Sequence, residues 1–255
     1  RVVLSKVAQA AIQAIQHSLV KHANPNRATN SAKYFKHVIK FHGLESPKIQ
    51  NTVFLPVYNG QIKSKISIPE QVHMARQLLS STYFEEKYCA ISLLNKNVKN
   101  IVNYSAISDT TAAATTTATT TATTSTNGKR NKDETEGTGA HRGDARDGDR
   151  ADDNEDESSQ HTHYVTNVMH QLAHSIDNHV YDWATCDTLS SRVICELLKL
   201  KPLHVVPIVR EWKNASDHHW RQRAACVSFV KVARLGQHND TIIDICETCI
   251  RNQER

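Results

Sequence analysis

Glycine and proline are scarce in this chain of 255 residues, at eight and six, and aromatic side chains make up only 6% of it. That poverty of turn formers and ring-bearing strand residues favours helix over sheet. No run of 18 uninterrupted apolar residues occurs, which excludes a membrane-spanning helix of the usual kind. There is no Walker motif, no G-x-G-x-x-G, no H-E-x-x-H and no glycine-rich turn around a serine nucleophile, so the familiar nucleotide, zinc-protease and serine-hydrolase chemistries have no foothold. The chain opens on Arg1 instead of Met and lacks the charged, apolar and small-residue succession of a signal peptide. A fragment or a processed chain is therefore expected.

The six cysteines, Cys89, Cys186, Cys195, Cys226, Cys246 and Cys249, lie in apolar helical contexts. Such usage reads as buried thiols in a reducing compartment, and a nuclear or cytoplasmic location is expected. Cys246-Glu247-Thr248-Cys249 is formally C-x-x-C, but it has no second pair at zinc spacing and reads as helix packing. The pairs His161/His163, His170/His174 and His218/His219 lack third ligands and read as surface histidines. No metal or cofactor is expected.

What is present is organised by charge and periodicity. Between Gly128 and Gln160 six Lys/Arg face eleven Asp/Glu, a net of −5, so the remainder of a chain of net +5 carries +10. A basic remainder beside an acidic tract points towards nucleic acid. Residues 110–126 are all Ala, Thr or Ser, and five of the eight glycines fall between 127 and 160. That composition cannot bury enough apolar area to offset its ordering entropy, and 107–160 is expected to be a disordered insertion.

On either side the spacing is helical. Val3, Val7, Ala11, Ile15 and Leu19 predict an amphipathic helix over 1–23. Ala32 to Phe41 predicts a second, closed by Gly43, and Ser46-Pro47 opens a third that Pro56 should shorten or kink. Further helices are expected from Pro69, over Phe84 to Val98 with Tyr88, Ile91 and Leu94 inward, over His161 to Ile176, His179 to Leu200, Leu203 to Trp212, His219 to Leu235 and Thr241 to Asn252. Asp177 or Asn178, Ser216 or Asp217, and Asn239 or Asp240 are the capping candidates. About ten helices in about 200 residues give a period near 40 per pair, the spacing of HEAT-like stacking. The fold class expected is all-α, an α-solenoid of HEAT-like antiparallel helix pairs, with pairs at 1–106 and 161–255 flanking the insertion at 107–160.

Trp183 and Asp187 lie four residues apart on one helical face, and Arg223 follows on a later helix. An indole, a carboxylate and a guanidinium suit a cation beside a phosphate. Tyr34-Phe35-Lys36 through Phe41-His42-Gly43-Leu44 to Ser46-Pro47, then Trp183 to Asp187 as W-x-x-x-D, then Ser216 to Arg223 as S-x-x-x-W-x-x-R, resemble in that order the AlkD-type DNA alkylation repair family.

The resemblance implies a solenoid whose basic concave face cradles duplex DNA, acting as a monomer. It also implies excision of N3- and N7-alkylated purines without flipping the base into a tight pocket. It further implies repeats beyond Arg255, so that the chain is a fragment. In that reading Asp187 is catalytic, stabilising the oxocarbenium-like sugar and orienting water, and Trp183 lies against the sugar or lesion. Arg223 holds the adjacent phosphate, Tyr34 touches DNA near the lesion, and Lys33 and Lys36 join it as DNA-binding residues. Trp220 is expected to be structural, and Asp182 to occupy a different face from Asp187. Two other classes stay open: a non-catalytic DNA-binding solenoid and a protein-binding helical-repeat scaffold.

Overall fold

The computed structural model describes residues 3–104 and 153–251, and among them there are helices and no strands. Helix α1, Lys6–Lys21, begins where the Ser5 hydroxyl accepts the Ala8 N–H at 3.2 Å. Its buried face is Ala8, Ala11, Ile12, Ile15 and Leu19, and the expected stripe is rotated at its start, leaving Val3 and Val7 exposed. Helix α2, Pro25–Tyr34, starts seven residues before the expected one, because the Asn24 side chain caps it and Pro25 supplies a ready-made first-turn φ. It ends at Tyr34, not Phe41. Lys36 and His37 adopt left-handed φ values of 51° and 60°, and the His37 N–H returns to the Ala32 carbonyl at 2.8 Å, which stops the helix.

Gly43 is the fixed point of the loop that follows. At φ 84° a Cβ would stand 2.2 Å from the Asn24 carbonyl oxygen, so only glycine fits. The fully buried Glu85 carboxylate accepts the N–H groups of His42, Gly43 and Leu44 at 2.9, 2.8 and 3.1 Å and seats the loop. Helix α3 is composite: α-helical at Ser46–Lys48, π-helical at Ile49–Phe54, α-helical at Leu55–Val57 and π-helical at Tyr58–Ile62. It therefore runs through Pro56 without a break. The widened i→i+5 turns on either side provide room for a ring that would clash in a regular α-helix.

Helix α4, Ile68–Leu79, and α5, Phe84–Val102, form a closely packed pair. The expected inward face of α5 is too narrow. Residues 85–94 are all buried, including Glu85, Glu86 and Lys87, because neighbours surround the first half of this helix. Helix α6, Asp153–His179, begins inside the acidic tract, before the expected His161, so residues 153–160 are helical where disorder was expected; it buries Val165, Val168, Met169, Leu172 and Ile176. The rest of the segment expected to be disordered, up to residue 152, lies outside the described residues.

The helix expected over His179 to Leu200 is divided. The chain leaves α6 at His179 and re-enters helix at Trp183. Helix α7 is α-helical at Trp183–Leu189, π-helical at Ser190–Ile194 and α-helical at Cys195–Leu200. Asp177, one of the capping candidates, instead lies inside α6 and pairs with Arg221 at 3.0 Å.

Three helices complete the unit. They are α8, Pro202–Glu211, extended by a 3-10 turn at Trp212–Asn214; α9, His219–Ala233; and α10, Asn239–Arg251. Helix α5 packs on α7, α7 on α8 and α9, and α9 on α10, each buried against its neighbours in the chain. This is the all-α solenoid of helix pairs, and residues 1–104 and 161–255 form one compact unit. Among the described residues no helix is long and apolar enough to cross a membrane.

Candidate active site

The site starts with a helix cap. Asp182 has an extended backbone, and its carboxylate accepts the Thr185 N–H at 2.8 Å, satisfying a donor that the first turn of α7 would otherwise leave bare. Asp182 is only 3% exposed and Trp183, the first helical residue, is 45% exposed. Asp187 follows one turn later, with its side chain 31% exposed. The two carboxylates thus separate as the residue spacing suggests: Asp182 is spent inside on the cap and Asp187 stands at the surface.

Asp187 is not alone there. Arg223 of α9 reaches across and forms a fork, with Nε donating to Oδ1 at 2.7 Å and Nη2 to Oδ2 at 2.8 Å. The hydrogen bond and charge of Asp187 raise the Arg223 pKa above its ordinary value, so the guanidinium is fixed as a cation. A planar guanidinium has five N–H donors, of which this fork uses two, so three remain for another acceptor. Each Asp187 oxygen likewise keeps a lone pair for a water or a sugar.

The indole has its own support. Phe35 stacks on Trp183 with ring centroids 5.5 Å apart and planes 15° from parallel, and Tyr34 meets it edge on at 6.4 Å. Phe35 in turn touches Phe41 at 5.2 Å and Phe84 at 6.4 Å, so the exposed indole is anchored to rings that lead into the core. Phe35 is the C-cap residue of α2, so the helix end itself presents the ring to α7, and the left-handed turn at Lys36 and His37 then carries the chain out of the helix. Tyr34 is 71% exposed, and Lys33 and Lys36 lie exposed on either side of it, with no ion pair among the described residues.

Of the six residues singled out from the sequence, the structure joins Trp183 to Tyr34 and Asp187 to Arg223, and leaves Lys33 and Lys36 free at the rim. Phe35 was missed as a site residue. Its only signal was its place beside Tyr34 in the Tyr34-Phe35-Lys36 motif, where no role was assigned to it. Trp220 is partly buried against the core, and its carbonyl accepts the Cys186 thiol at 3.3 Å. Burial pushes the Cys186 pKa up to about 12, so this thiol beside Asp187 is not a nucleophile. The six cysteines are free thiols, and no group of three or more His, Cys, Asp or Glu is placed to hold a metal among the described residues.

Comparison with known families gives a match to the one described as DNA alkylation repair enzyme, over residues 15–128 and 150–255. No curated protein matches the chain.

Proposed function

The chain belongs to the DNA alkylation repair enzyme family, and from that premise we propose that it is a monofunctional DNA glycosylase. In this reading it hydrolyses the N-glycosidic bond of N3- and N7-alkylated purines in duplex DNA. The observation that carries the proposal is the Asp187 carboxylate held by Arg223 at the surface, one helical turn from the exposed Trp183 indole.

The chemistry asks little of a general acid. An N3- or N7-alkylated purine is already cationic and leaves as a neutral base. Positive charge then develops on the sugar, and a fixed carboxylate within reach stabilises it and aligns the attacking water. Trp183, one face covered by Phe35 and the residue still half exposed, offers a π-surface to the cationic lesion or the deoxyribose, worth about 0.5–2 kcal/mol. Arg223 uses its three remaining donors on a backbone phosphate while the other two keep Asp187 aimed.

The test is release of 7-methylguanine and 3-methyladenine from methylated duplex DNA. Asp187→Asn keeps the shape and removes the charge, and is expected to lower the rate by about 10²–10³. Wild-type protein that releases neither base refutes the proposal. A second reading, a duplex-binding solenoid without catalysis, draws on the same fork, since both Asp187 oxygens already accept from Arg223. It requires duplex binding without base release, so the one assay separates the two.

A further inference from the structure

A second cluster of cations lies further along the helices that carry the candidate active site. A cavity of about 430 Å³ is lined by Asn95 and Lys99 of α5, Arg192, Glu196 and Leu200 of α7 and Lys231 of α9. Two of the three cations are held in place. The Arg192 Nη1 donates to the Tyr88 hydroxyl at 2.9 Å, and its guanidinium lies 5.2 Å from the centroid of the Tyr88 ring. The Lys231 Nζ donates to the Ser191 carbonyl at 2.8 Å. The one carboxylate of the lining, Glu196, is engaged by Lys199 at 2.9 Å.

Among the described residues Lys99, Arg192 and Lys231, like Lys33, Lys36 and most of the other lysines, have no carboxylate within 4 Å; what sets these three apart is that they converge on one cavity. Three like charges around one open cavity repel one another until an anion enters.

The position of the cluster identifies that anion. Ser191 and Arg192 follow Asp187 by four and five residues on the exposed stripe of α7, and Lys231 follows Arg223 by eight on the exposed stripe of α9. At 1.5 Å per residue the cavity lies about 6–12 Å from the Asp187–Arg223 fork on the same helices. With about 3.4 Å of rise per phosphate along one strand, that span corresponds to about two to four nucleotides.

We propose that Lys99, Arg192 and Lys231 form a second anchor for the DNA backbone, gripping phosphodiester groups about two to four nucleotides from the lesion. This rests on the duplex-binding part of the proposed function and not on its catalytic part. The anchor sets the register of the strand, so that the lesion stops at Trp183 and Asp187. Phosphate contacts of this kind position a duplex and carry no sequence information.

The experiment measures binding of an undamaged duplex to wild type and to the Lys99→Ala/Lys231→Ala double variant between 50 and 200 mM salt. It is repeated with duplexes in which single phosphates are replaced by neutral methylphosphonate. Loss of two phosphate contacts makes the plot of log affinity against log salt shallower by about 1.8, so the ratio of wild-type to variant affinity falls about 12-fold over that range. In a duplex carrying one alkylated purine, neutral phosphates about two to four nucleotides from the lesion should weaken wild type and have much less effect on the double variant, whereas one beside the lesion, opposite Arg223, should weaken both. Arg192→Lys keeps the charge but loses the guanidinium's hydrogen bond to the Tyr88 hydroxyl and its stacking on the ring, and is expected to keep the wild-type salt slope at a reduced affinity. An unchanged salt slope in the double variant overturns the anchor while leaving base release as it stands. A reduced slope in a protein that releases no base upholds the anchor and refutes the glycosylase. A wild type that does not bind duplex overturns both.

Discussion

Lys87 provides a test of how this solenoid is held together. It is fully buried, yet it carries an ammonium that donates to the Leu79 carbonyl at 2.7 Å and to the His179 carbonyl, the last residues of α4 and α6. The same group lies 4.5 Å from the centroid of the Tyr181 ring. A cation suits the negative ends of two helices, but burial pushes its pKa down to about 8 from the ordinary 10.5, while Asp182 and Glu86 pull it partway back. Below pH 8 Lys87 is charged in both folded and unfolded chains. Between about 8 and 10.5 the unfolded chain keeps a proton that the folded chain has released, so stability rises with pH by about 1.4 kcal/mol per unit.

Lys87→Met removes this dependence. At a single pH two effects oppose each other: the substitution strips donors from two carbonyls, about 1–3 kcal/mol each, and relieves the burial of a charge. The diagnostic quantity is therefore the change with pH. Urea unfolding of both proteins at pH 7 and pH 9.5 should show wild type gaining about 2 kcal/mol on the variant. Every other titrating group is common to both and cancels. A wild type that gains nothing on the variant between the two pH values, or loses ground to it, would refute the reasoning. It would mean that the two helix ends keep the ammonium charged against its burial.

Three further outcomes are expected. Gly43→Ala combines a left-handed φ, costing about 1–2 kcal/mol, with a Cβ 2.2 Å from the Asn24 oxygen, so it should lower unfolding stability by about 3 kcal/mol or more. Phe35→Ala uncovers one face of Trp183, and should shift indole emission to the red and reduce base release, whereas unchanged emission would show that the stacking does not hold the ring. Asp182→Ala loses the α7 cap and should cost about 1–2 kcal/mol of stability, whereas Asp187→Asn, breaking a partly exposed pair, should cost less than about 1 kcal/mol. Denaturation midpoints of the two variants in the opposite order would count against the division of roles between these carboxylates.

The helix content and the order of the helices were legible in the sequence, because spacing of three and four carries through most elements. The boundaries that shape the site were not. Asn24-Pro25 is a strong start signal, but the residues after it, Asn26 to Ser31, are polar, and no residue of α2 is buried, so periodicity had nothing to report. The break before Trp183 was hidden because apolar spacing runs on through Val180, and only the buried Asp182 marks a new helix start. Glu85-Glu86-Lys87 reads as a solvated face of α5. Each of the three instead finds an internal partner: the loop at His42 to Leu44, the Gln16 side chain, and two helix ends. Partners 8 to 92 residues away in sequence leave no local trace.

The fork between Asp187 and Arg223 also bears on how a carboxylate can serve on a surface that meets DNA. An isolated anion on the stripe that carries Arg192, Arg223 and Lys231 would repel every phosphate drawn in by those cations. Paired with Arg223 it is nearly neutral as seen from a distance, so long-range attraction of the duplex is preserved. Close to the surface the three donors that the fork leaves free meet a phosphate, while the other two go on holding Asp187 in place. On the proposed reading the pair thus masks the charge of the carboxylate during approach and keeps it aimed at the sugar once the strand is bound. Arg223→Lys supplies one point charge in place of a fork. It should therefore bind duplex with a similar salt slope while releasing base more slowly, because it can no longer serve both partners at once.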